Sequence, residues 1–155
     1  MANEFYYCVS LSIVHPTADP APITKSITHL RPDIEVKAGT ERRGRDGELI
    51  VPRRVSPLSH WSAYCHEEER LFSGERSLSE FICECLDKLE HHRDLFATLR
   101  PEGDIKLVVG WFSESNHSAD ILSVDAMKKC SDLGIAIELD FYSKRQRFRT
   151  RPSIA

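Results

Sequence analysis

The chain has 155 residues, enough for one domain that buries roughly 70% of the surface its unfolded chain exposes, without a disulfide framework or structural metal. Its 41% hydrophobic and 29% charged content excludes a disordered or fibrous protein. The net charge of −3 is uneven: no acid follows Asp140, and Lys144, Arg145, Arg147, Arg149 and Arg151 carry five positive charges, which leaves −8 on residues 1 to 143. An acidic body (1–143) with a basic C-terminal tail (144–155) is the electrostatic outline.

In chain order, Phe5 to Val14 alternates, with Phe5, Tyr7, Val9, Leu11 and Ile13 on one side and Tyr6, Cys8, Ser10, Ser12 and Val14 on the other, and so predicts a half-buried strand. A proline-rich turn, HPTADPAP, leads into Ile23, Ile27 and Leu30 at helical spacing, a short helix that must stop before Pro32. Ile34, Val36 and Ala38 predict a second strand ending near Gly39. Residues 41 to 59, rich in arginine, glycine and proline, read as a long hairpin or mobile loop with its best turn at Asp46-Gly47. Trp61, Ala63 and Cys65 alternate with Ser62, Tyr64 and His66 in a third strand. Ser77 to Leu99 predicts one long helix with a stripe of Leu78, Phe81, Ile82, Cys85, Leu86, Leu89, Phe96 and Leu99, and Ser77 with Glu80 has the form of a capping box. Ile105 to Phe112 is apolar on both faces, as a central strand is. Ser123 caps a last helix with Met127, Cys130 and Leu133 inward and Gly134 as its stop, before a final strand of Ile135, Ile137, Leu139 and Phe141.

The resulting order predicts an α+β fold: a two-layer sandwich in which a ferredoxin-like βαββαβ unit is extended by a C-terminal αβ, with an antiparallel or mixed sheet and helices on one face. One domain spans residues 1–143.

The chemistry-bearing residues do not assemble into a known catalytic pattern. Cys65-His66, Cys83-Glu84-Cys85 and His91-His92 lack the separation with which two ligands grip one zinc ion, and Cys83 and Cys85 lie about 200° apart on a helix. No metal, cofactor or catalytic residue is therefore assigned. Neither GxxxxGK[ST] nor GxGxxG occurs, although Arg42, Arg43 and Arg45 form a candidate anion-binding cluster. The stretch WFSESNHSAD, 111–120, holds reactive-looking groups, but short polar side chains in such a connection also satisfy turns and caps, which is the favoured reading. A candidate ligand or partner surface remains: Trp61, Trp111, Glu114, His117, Asp120 and Tyr142. The start MANEFYYC lacks a secretory pattern, no apolar run is long enough to span a bilayer as a helix, and five cysteines without a framework suit reduced thiols in a cytoplasm.

The segments FYYCVSLSI, ITKSITHLRPD, KAG, HWSAY and above all SVDAMKKCSDLGIAIELDFY, with Asp140 and Tyr142 near its end, resemble the bacterial family called domain of unknown function 4279. The resemblance implies a bacterial intracellular single domain and carries over no catalytic residue. By analogy with small acidic α+β proteins of bacteria, it points to a binding or immunity protein. The expectation is a non-enzymatic, cytoplasmic protein-binding domain whose acidic body steers a basic protein partner, with a homodimer as a further form and nucleic acid disfavoured. The alternative is a small-ligand protein or enzyme with a pocket at the end of strand 105–112.

Overall fold

The computed structural model describes residues 4–43, 46–49, 55–115 and 117–143. Expectations that fall on Arg45 and on the basic tail 144–155 lie outside the described residues. The elements are β1 (Tyr6–His15), α1 (Ala21–Ser26), β2 (Pro32–Val36), β3 (Ser59–Tyr64), β4 (Leu71–Phe72), α2 (Leu78–Leu89), α3 (Arg93–Leu99), β5 (Asp104–Ser113), α4 (Val124–Leu133) and β6 (Ala136–Ser143), with a 3-10 turn at Glu90–His92 between α2 and α3.

The strands form one mixed sheet in the order β2-β3-β1-β5-β6, with β4 also paired to β1. Every junction is antiparallel except β5 with β6, which is parallel. A parallel pair needs a crossover, and α4 supplies it. β1 is flanked by β5 along nearly its whole length, while its other edge is shared between β3 and the two-residue β4. β4 was not legible in the sequence, because two residues are too few to show alternation.

Alternation on β1 becomes burial. Tyr7, Val9, Leu11 and Ile13 are buried on the helix side, joined by Trp61 and Ala63 from β3 and Ile105, Leu107, Val109 and Trp111 from β5. The helices close this face with Ile23 of α1, Phe81, Ile82, Leu86 and Leu89 of α2, Phe96 and Leu99 of α3, and Ala126, Cys130 and Leu133 of α4. Residue 27, just past α1, is also fully buried. Trp61 sits in this core with its indole Nε1 donating to Thr24 Oγ1 at 2.9 Å, and that hydroxyl donates in turn to Glu35 Oε2 at 2.6 Å. A buried indole needs such a partner, and this one fastens α1 to β2 and β3.

Three helical expectations require correction. The single helix over 77–99 is broken at the 3-10 turn, where His92 leaves helical geometry at φ −104° and ψ 14°. No proline or glycine causes the break; the polar Glu90-His91-His92 segment buries nothing, and beyond it Arg93 donates to the Asp132 carbonyl at the end of α4. Ser77 makes no side-chain cap bond, so the capping box does not form. Met127 is 50% exposed, because Ala126, Cys130 and Leu133, spaced four and three apart, already define the inward stripe of α4. The other end of the reading holds: Ser123 Oγ accepts from the Ala126 amide at 3.1 Å and Gly134 terminates α4 at φ +67°. A side chain at Gly134 would also collide with the Arg100 guanidinium.

Among the described residues, no helix is long and apolar enough to cross a membrane.

Candidate functional site, the open face of the sheet

The face of the sheet turned away from the helices carries the second half of each alternation. Here the register lines up four aromatic side chains: Phe72 of β4 stands opposite Tyr6 of β1, Tyr6 opposite Phe112 of β5, and Phe112 opposite Tyr142 of β6. With strands about 4.8 Å apart, the row spans about 14 Å. Its rings touch in two pairs: Tyr6 and Phe72 lie 5.1 Å apart, tilted, and Phe112 and Tyr142 stack at 4.8 Å. The Arg70 guanidinium lies 3.8 Å over the Phe112 ring, a cation–π contact within the row. Tyr6 and Tyr142 remain 49% and 53% exposed.

The next level of the face holds Cys8, Gly110 and Asp140. A Cβ at Gly110 would lie 2.6 Å from Cys8 Sγ and 3.2 Å from the Phe112 ring, so glycine leaves the room that the thiol and the ring occupy. One level further, Tyr64 projects from β3 opposite Ser10 and is half exposed. Glu138 of this face pairs with Lys106. At the far end, Ser12 Oγ and His60 Nε2 are 3.2 Å apart.

The row is held from below by an imidazole. His66 Nδ1 donates to the Glu68 carbonyl at 2.7 Å, which leaves Nε2 to accept from the Val9 amide at 2.9 Å. Both bonds require the neutral ring, and burial holds its pKa below the ordinary imidazole value. The segment between β3 and β4, which delivers Arg70 and Phe72, is thus tied to the centre of β1.

The six residues of the expected surface are not brought into one pocket. Trp61 and Trp111 are both buried on the helix side, 1% and 6% exposed. They stand at opposite ends of the sheet, since Trp61 pairs with Ile13, itself opposite Ile105, whereas Trp111 pairs with Tyr7. Trp111 stacks on Phe5 at 3.8 Å and its Nε1 donates to Ser118 Oγ at 2.9 Å, so the 114–120 connection folds back to satisfy the indole. Glu114, His117 and Asp120 are exposed in that connection, and Asp120 Oδ1 accepts from the Ile121 amide in a local turn. Tyr142 alone lies on the open face. Sequence reasoning did not single out Tyr6, Phe72 or Phe112. The available signal was an aromatic residue at the solvent-side position of each alternating strand.

Arg42 and Arg43 line a separate groove of about 950 Å³ together with Lys37, Asp19, Glu35 and Glu41. Its carboxylates offset its cations, Lys37 is paired with Asp19, and Arg43 donates to the Gly47 carbonyl. Isolated antiparallel bridges, Glu41 with Val55 and Arg43 with Leu49, bound this loop, and Gly47 turns it at φ +81°. Among the described residues, no group of three or more histidine, cysteine, aspartate or glutamate side chains is arranged to hold a metal ion.

One family model matches residues 3–144, and its description is domain of unknown function (DUF4279). No curated protein and no solved structure matches the chain.

Proposed function

Given that the chain belongs to the DUF4279 family, whose description assigns no activity, we propose that it is a non-enzymatic binding domain that engages a protein partner through the open face of its sheet. The observation that carries this reading is the in-register row of Phe72, Tyr6, Phe112 and Tyr142 with Arg70 over its Phe112 ring. Aromatic residues and arginine are the groups that anchor protein interfaces, and the two tyrosines of this row stand half exposed on the open face. The acidic body, −8 over residues 1 to 143, favours a basic partner whose cations rest on the rings near Asp140. An immunity-type role in a bacterial cytoplasm is the biological form of this proposal. We also assign the strand order β2-β3-β1-β5, antiparallel at each junction, to a ferredoxin-like unit extended by α4 and β6.

The test is capture from a host extract by the wild-type chain and by a Tyr6→Ser/Tyr142→Ser variant, at low and high salt. A partner retained by the wild type alone, and weakened by salt, supports the reading. Capture that ignores both the substitutions and the salt contradicts it.

A second reading has its own observation. Among the described residues β6 pairs only with β5, and its helix-side residues Leu139 and Phe141 are 40% and 68% exposed. Such an uncovered edge strand suits pairing with a second copy of the chain. Light scattering of the purified protein distinguishes the dimer from a monomer.

A further inference from the structure

Beneath the sheet, on the side of the helices, two cysteines far apart in sequence meet. Cys65 follows β3 on the same side as Trp61 and Ala63, and its amide is fixed by a 2.9 Å bond to the Val9 carbonyl. Cys85 lies on the inward stripe of α2 and is 6% exposed. The two thiols lie close enough that each acts on the ionisation of the other. Both line a groove of about 500 Å³, shared with His29, Lys88 and His91.

We propose that Cys65 and Cys85 are a reversible dithiol–disulfide pair, oxidised by a hydroperoxide that enters this groove. Cys65, half-buried where Cys85 is buried, is the attacking sulfur. The adjacent Cys85 thiol and the Lys88 ammonium hold Cys65 below the ordinary thiol range, whereas the Cys65 sulfur and burial push Cys85 above it. The other three thiols are all pushed the opposite way from Cys65: Cys8 and Cys130 by burial, Cys83 by burial and the neighbouring Asp125. The Cys65 thiolate attacks one peroxide oxygen, the O–O bond breaks, and water leaves once the departing oxygen takes up a proton, giving a sulfenic acid on Cys65. The Cys85 sulfur then attacks Cys65, the S–O bond breaks, and a second water leaves with the proton from Cys85. Two thiols lose two electrons and two protons, and hydrogen peroxide becomes two waters. The new bond closes the segment that carries His66, Arg70 and Phe72.

The fully reduced wild-type protein is titrated with hydrogen peroxide, alkylated and mapped by mass spectrometry. The expected result is loss of two of the five thiols, a cross-linked peptide joining Cys65 to Cys85, and recovery of both thiols with dithiothreitol. In Cys85→Ser, dimedone should trap a sulfenic acid on Cys65, whereas in Cys65→Ser it should leave Cys85 unlabelled. The proposal is overturned if Cys8, Cys83 or Cys130 is modified first, or if the wild-type map contains no 65–85 cross-link. The wild-type map requires no substitution, so a variant that misfolds leaves the test intact.

Discussion

Tyr6 and Tyr7 are neighbours on one strand with opposite fates. Tyr7 faces the helices, is fully buried, and donates its hydroxyl to the Arg76 carbonyl at 3.0 Å; burial pushes its pKa up to about 12. Tyr6 faces away, stays half exposed, and touches Phe72 in the aromatic row. The same contrast runs through β5, where Trp111 is core and Phe112 is half-buried on the open face. One face therefore answers to packing and polar satisfaction, and the other keeps aromatic area in contact with water.

The contrast is broken most severely from the helix side. Phe96 is fully buried between α3 and the sheet, so Phe96→Ala should cost about 3 to 5 kcal/mol of unfolding free energy, measured by urea denaturation. A loss below about 1 kcal/mol would mean that this face is not the packed one.

His66 joins the two faces and gives the next effect. In His66→Ala the Val9 amide, on a buried residue, loses its acceptor, which should cost about 1 to 3 kcal/mol. The wild type should also weaken in acid. His29, His60, His66 and His92 are all held below the ordinary imidazole value, chiefly by burial. Each stays neutral when folded, while the unfolded chain takes up protons near pH 6.5. Stability is therefore intact above that pH and falls as pH drops through it toward the folded values, with urea midpoints between about pH 7.5 and about pH 5 as the readout. A midpoint that rises in acid would contradict the assignment.

The smallest effect comes from the open face itself. Arg70→Ala removes a cation–π contact from the half-buried Phe112 ring, with an expected change of about 0.5 to 1 kcal/mol in stability.

Most of the frame was legible because β1, β3 and β6 alternate, β5 is apolar on both faces, and α4 carries an unambiguous serine cap and glycine stop. The site was less so. WFSESNHSAD drew attention by its composition, but its histidine and acids are exposed and its serine at 118 serves the Trp111 indole. The row could not be read because its register depends on which strands are neighbours, and Phe72 belongs to a two-residue strand. The Cys65–Cys85 pair was hidden for the same reason: a strand end and a helix meet only in the folded chain.

The central claim is that the two faces do different work, and Tyr142→Ser tests it most directly when unfolding free energy and affinity for the captured partner are measured on the same sample. The account predicts stability within about 1 kcal/mol of wild type and affinity lowered at least about tenfold, as for loss of an interface anchor. Unchanged affinity, or an affinity loss matched by unfolding, would contradict it.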